Sequence, residues 1–127
     1  MTAKEFIETN IDYLEEDPYQ FCMFMYNDLD YEESNNVVYI LKSLGVDLQK
    51  ERECTIDIAT ATIIHDWKAS PGSVSGMPLM DFVYAFFDNY LGFTPQEITE
   101  IIKKRKDQYP SVEITTRQGQ DVIDLRF

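Results

Sequence analysis

Residues 78–91 carry apolar side chains along two helical lines at once: Met80, Val83, Phe87 and Leu91 on one, Leu79, Phe82, Phe86 and Tyr90 on the other. A helix that is apolar around most of its circumference has no face to give to water, so other elements must close over it. That requirement asks for a globule built around this segment. The material is present, because 44% of the 127 residues are hydrophobic and 13% are aromatic, unlike the apolar-poor composition of disordered chains. No internal repeat occurs, and the single Pro/Gly/Ser-rich stretch, 70–78, is too short to separate domains. The expected organisation is therefore one domain over residues 1–127.

Capping residues divide the remainder into helices. Thr2 with Glu5 forms a capping-box pattern ahead of Phe6, Ile7, Ile11 and Leu14, which predicts a helix over 2–16. Asp17-Pro18 supplies a cap and a first-turn proline for a helix over 18–29. Ser34 can cap a third over 34–44, which Gly45 ends. Residues 52–69 read two ways: Ile56, Ile58, Thr60 and Thr62 alternate like a strand, while Ile56, Ala59, Ile63 and Trp67 share a helical face. The length and the two alanines, Ala59 and Ala61, favour helix. Beyond the helix over 78–91, Thr94-Pro95-Gln96-Glu97 opens another over 95–108 with cap, proline and capping-box glutamate in order, and Pro110 forbids its continuation. Val112, Ile114 and Thr116 then alternate, Gln118-Gly119-Gln120 can turn, and Ile123, Leu125 and Phe127 alternate again, predicting a hairpin over 112–127. The fold class is mainly α (α+β): a compact bundle of five to six helices with a C-terminal β-hairpin.

Twenty-three acidic against eleven basic side chains give a formal charge of −12. Ten of the acids and one base lie in residues 1–33, so a quarter of the chain holds a net of −9. Such a field repels nucleic-acid phosphate and anionic lipid and speeds encounter with a basic partner. Direct nucleic-acid or membrane binding is therefore not expected. Cys22 and Cys54 sit in apolar-patterned stretches and read as reduced, buried thiols. The first residues lack a basic segment followed by an apolar run, and no window has the eighteen or so apolar residues of a membrane span, which makes a cytoplasmic location the expectation.

Few residues point to chemistry. His65, the only histidine, precedes Asp66 and Trp67, the minimum for acid-base work; a histidine at the polar edge of a helix explains it as well. One histidine and two distant cysteines cannot assemble a zinc site by any common spacing. Asp28, Asp30 and Glu32 imitate the start of a calcium loop, but Glu33 occupies the glycine position and Tyr39 the closing bidentate position. Lys103, Lys104, Arg105 and Lys106 suit the negative end of a helix dipole better than a phosphate site. No glycine-rich phosphate loop is present, and neither a cofactor nor a metal is expected.

The leading expectation is a non-enzymatic acidic binding module that occupies a basic surface of a protein partner, such as a nucleic-acid-binding enzyme or a toxin. Inhibitors, immunity proteins and DNA mimics act in this way, because carboxylates on a rigid scaffold can imitate a row of phosphates. The acidic face is assigned to Glu15, Glu16, Asp17, Asp28, Asp30, Glu32 and Glu33, with Tyr19, Phe21, Met25, Tyr26 and Tyr31 as interface anchors. One alternative is a homo-oligomeric assembly adaptor, a homodimer for instance, that packs the aromatic and methionine strip 19–31 against a copy of itself. A second is a small enzyme using His65.

Overall fold

The computed structural model describes residues 1–69, 76–109 and 111–125. It is mostly helical with a small antiparallel sheet near the C-terminus, as the sequence predicts. The chain divides into two compact units, each built from two separate segments: Met1–Ile56 with Asp88–Phe93, and Asp57–Phe87 with Thr94–Phe127.

In the first unit the expected helix over 2–16 is two helices, α1 (Ala3–Thr9) and α2 (Ile11–Glu16). Asn10 makes the break. Its side-chain amide and its backbone N–H both donate to the Phe6 carbonyl at 3.0 Å, the local competition that keeps asparagine out of helix interiors. The capping box at the start forms as predicted, with Glu5 N–H donating to Thr2 Oγ1 at 3.2 Å and Thr2 N–H to Glu5 Oε1 at 3.3 Å. Helix α3 (Pro18–Asp28) begins at the predicted cap, where Asp17 accepts from Gln20 N–H at 3.2 Å.

Helix α4 (Tyr31–Ser43) starts earlier than residue 34, because Asp30 caps it by accepting from Glu33 N–H at 2.8 Å. Ser34 is instead wholly buried, with its hydroxyl donating to the Met25 carbonyl at 3.3 Å. Gly45 closes α4 in the left-handed region at φ 81°. There Gly45 N–H donates to Lys42 and Val46 N–H to Leu41, the double bond pattern that satisfies terminal carbonyls.

Phe6, Phe21, Cys22, Met25, Val37 and Leu91 are fully buried in this unit, and the Phe6 and Phe21 rings meet edge to face at 5.2 Å. Residues 88–93 are fastened by Arg52, which donates to the Leu91 carbonyl at 2.9 Å and sits 4.3 Å over the Phe93 ring. Gly92 is required at its position. A Cβ there would lie 2.9 Å from Val38 Cγ1, and its φ is 80°.

Helix α5 (Gln49–Ala69) resolves the ambiguous stretch as helix and gives its first turns to the first unit and the rest to the second. Thr55 and Thr62 fit it by donating their hydroxyls to the carbonyls four residues back, Glu51 and Ile58, at 2.9 and 3.0 Å.

The second unit also contains β1 (Met77–Pro78), α6 (Leu79–Phe86), α7 (Pro95–Lys104), a 3-10 turn (Lys106–Gln108), β2 (Val112–Arg117) and β3 (Gln120–Leu125). The apolar helix predicted over 78–91 stops at Phe86, shorter by a turn than its pattern. Trp67, Phe82 and Phe86 cluster with ring centroids 5.2–6.1 Å apart. Thr94 and Glu97 form their capping box as expected, and the predicted helix over 95–108 is α7 followed by the 3-10 turn.

The hairpin turns through Gln118 and Gly119, both at positive φ, the two-residue geometry that matches strand twist. β1, unforeseen in the sequence, adds to β3 and gives the order β1-β3-β2, all antiparallel. Pro110 and Phe127, and residues 70–75 of the Pro/Gly/Ser stretch, lie outside the described residues.

Candidate partner-binding surface

The two units are nearly equal in length, but the charge divides unevenly between them. Fourteen carboxylates against four bases give the first unit a net of −10, whereas nine against seven leave the second at −2. All seven acids assigned to the face belong to the first unit, and all but the half-buried Glu33 are exposed. They form two groups at opposite ends of α3: Glu15, Glu16 and Asp17 before it, and Asp28 as its last residue with Asp30, Glu32 and Glu33 beyond. Eleven residues of helix separate the groups by about 16 Å.

Helix chemistry accounts for four of the seven. Asp17 and Asp30 are N-caps, and Glu32 and Glu33 stand in the first turn of α4, where the positive end of the dipole favours them. Glu33 is further occupied, accepting from Ala3 N–H at 2.6 Å. The other three are neither caps nor first-turn residues. Asp28 is the last residue of α3, Glu15 and Glu16 close α2, and neither helix has a basic residue in its final turn. Carboxylates at these ends oppose the dipole of their own helix.

Ion pairs do not neutralise them either. Among the described residues, salt bridges join Arg52 to Asp47, Arg105 to Asp57, Lys103 to Glu100 and Asp121, and Arg117 to Asp124. No carboxylate of residues 1–33 takes part in one. Three further exposed acids, Glu5, Glu8 and Asp12, extend the charge along α1 and α2. They follow at helical spacing from Glu15 and Glu16, a signal readable in the sequence that the assigned face omitted.

The anchor set needs correction. Phe21 and Met25 are wholly buried, and with Cys22 and Leu29 they form the inward stripe of α3. Side chains without exposed surface cannot meet a partner, so these two belong to the core. Tyr19 remains 40% exposed and Tyr31 47%, the latter with its ring edge to face against Tyr90 at 5.1 Å. Tyr26 is half-buried. Burial and, after it, the Asp88 charge push its phenol up to about 12. Met23, not among the expected anchors, shares a helical flank with Tyr19 and Tyr26 at positions i+4, i and i+7, and is also half-buried.

The other candidate groups are placed as follows. His65 is 85% exposed on α5, with Nδ1 3.5 Å from the carboxylate of its neighbour Asp66. The calcium-like run makes no loop, because only Leu29 and Asp30 separate α3 from α4. No group of three or more His, Cys, Asp or Glu among the described residues is arranged to hold a metal ion. Two members of the basic cluster are engaged internally. Lys103 lies 3.1 Å from Asp121, which raises the lysine and lowers the aspartate from their ordinary values, and Arg105 lies 3.3 Å from Asp57. Cys22 is buried as expected and its thiol is pushed up to about 12, chiefly by that burial, which makes it inert; Cys54 is only half-buried. No helix among the described residues is long and apolar enough to cross a membrane.

Comparison with family models, with curated proteins and with solved structures finds no match to this chain.

Proposed function

We propose that the chain is a non-enzymatic protein-binding module whose first unit presents carboxylates to a basic surface of a partner. The observation that supports this reading most is the position of Glu15, Glu16 and Asp28: exposed, outside every ion pair among the described residues, and at the helix ends where a carboxylate costs stability. Neither a cap nor an ion pair within the described fold engages these acids, which leaves them available to a partner. A partner groove lined with lysine and arginine would gain steering and pairing from them. If that groove is the nucleic-acid site of an enzyme or toxin, occupying it blocks the partner, the action of an inhibitor, an immunity protein or a DNA mimic. The homodimer alternative loses Phe21 and Met25 to the core.

The test is a pair of affinity columns, one carrying the native chain and one carrying Glu15→Lys, Glu16→Lys and Asp28→Lys together, loaded with host extract at low salt. The expected result is retention of basic proteins on the first column, their release as salt rises, and their absence from the second. Equal retention on both columns, or retention indifferent to salt, would remove the reading.

A further inference from the structure

β2 lies at an edge: in the order β1-β3-β2 it pairs with β3 alone. Arg117 and Gln120 flank the two-residue turn, so they exchange both of their backbone hydrogen bonds, and by alternation Thr115 does so with Val122 and Glu113 with Asp124. The N–H and C=O groups of Ile114 and Thr116 therefore face away from β3, and among the described residues no backbone group outside the sheet bonds to them. Edge strands are usually blunted by shortness, a bulge or a proline. β2 has none of these. It runs for six residues, Val112–Arg117, in unbroken register, and Val112, Ile114, Thr115 and Thr116 are β-branched.

The side chains along this edge are their own complement. Glu113, Thr115 and Arg117 alternate onto one face of the sheet. An antiparallel copy of β2, related by a two-fold axis at Thr115, sets Glu113 opposite the copy's Arg117, Arg117 opposite the copy's Glu113, and Thr115 opposite the copy's Thr115. Opposite charges and threonine pairs are favourable cross-strand neighbours. The same register lets Ile114 exchange both backbone hydrogen bonds with the copy's Thr116, and Thr116 with the copy's Ile114. An axis at Glu113 would put carboxylate against carboxylate, and an axis at Ile114 would put Glu113 against threonine. Thr115 is a second, independent observation: its Oγ1 is buried without a hydrogen-bond partner, a costly state that a facing hydroxyl relieves. Arg117 lies 3.1 Å from Asp124 with its side chain 62% exposed, and Glu113 is engaged within its own chain. A guanidinium with five donors and a carboxylate with two oxygens can each take a further partner.

We propose that the β2 edge pairs with β2 of a second copy of this chain, two-fold about Thr115, joining two three-stranded sheets into one. The unit that carries β2 has a net charge of only −2, against −10 for the other, so it is the unit on which copies can meet with little repulsion. This surface is distinct from the 19–31 strip, and the pairing stands or falls independently of the acidic reading.

One strand pair is a contact at the small, transient end of protein interfaces, so sedimentation velocity should show the dimer at about 0.1 mM chain and above. Thr116→Pro removes an outward N–H, leaves the ladder to β3 whole, and should abolish the dimer. Glu113→Arg and Arg117→Glu each set like charges opposite one another and should be monomeric alone, whereas mixing the two variants should restore association, because every charge then meets its opposite. If Arg117→Glu, which loses the Asp124 bridge, fails to fold by circular dichroism, Thr115→Cys in a Cys54→Ser background carries the test of register. Its thiols face each other across the axis, and air oxidation should give a covalent dimer. Self-association that Thr116→Pro leaves intact places the interface elsewhere, on the 19–31 strip for instance, and overturns the proposal. Folded variants that do not associate on mixing, or a folded Thr115→Cys that does not cross-link, overturn it as well. A native chain still monomeric at about 1 mM leaves the edge to a strand of another protein and likewise overturns it.

Discussion

The side-chain amide of Asn89 donates to Ser34 Oγ at 2.5 Å, and both residues are fully buried. The same amide reaches the Leu29 carbonyl at 3.1 Å, while Asn89 Oδ1 accepts from Leu91 N–H at 3.0 Å. One side chain thus satisfies the end of α3, a residue within α4 and the segment 88–93. Asn89→Ala strands a buried carbonyl and a buried N–H. The expected loss is about 2–4 kcal/mol in urea unfolding. A loss within experimental error would mean that the network is dispensable.

Alkaline titration reads two tyrosines, the buried Tyr109 and the half-buried Tyr26. Tyr109 donates to Asp57 Oδ1 at 2.5 Å, and burial first, then that carboxylate, raises its phenol far above the ordinary range; Tyr26 is raised to about 12. The folded values lie above the unfolded one, so the native state favours the neutral phenols. Their contribution is complete below about pH 10 and is lost as pH rises from there through the folded values. Phenolate absorbance should show a late component that Tyr26→Phe and Tyr109→Phe each diminish. Absence of any late component contradicts the burial of these hydroxyls.

Asp28 separates a structural from a functional role. At the last turn of α3 its charge opposes the helix dipole, so Asp28→Lys should stabilise the fold by about 0.3–1 kcal/mol at low salt while weakening partner binding. Thermal melts at two salt concentrations measure the first effect. A destabilised Asp28→Lys variant would show that the carboxylate serves the fold.

Local rules carried much of the fold into the sequence. Thr2 with Glu5, Asp17-Pro18, Thr94-Pro95 with Glu97, and Gln118-Gly119 each act within a few residues, and each stands where its chemistry predicts. The misses have long-range causes. The pattern of 78–91 continues past Phe86, but Asn89 is bound into Ser34 and Leu29, residues far away in sequence, and its chain leaves the helix. β1 exists only because Met77 and Pro78 meet Ile123 and Val122. Asp30 and Ser34 are both good caps, and burial of Ser34 decides between them.

For the surface, the sequence disclosed the charge but not its sorting. Six consecutive apolar residues at 21–26 do not announce that Phe21 and Met25 turn inward while Met23 and Tyr26 stay at the margin. Which acids are caps likewise became clear only from their hydrogen bonds.

The most direct measurement is a map of backbone amide shifts in the isotope-labelled chain as an oligolysine ligand is added at low salt. The acidic-module account predicts perturbations concentrated at residues 12–33, fading as salt is raised. Perturbations centred on the second unit, or none at all at a tenfold excess of ligand, roughly the level at which a weak site fills, would contradict it.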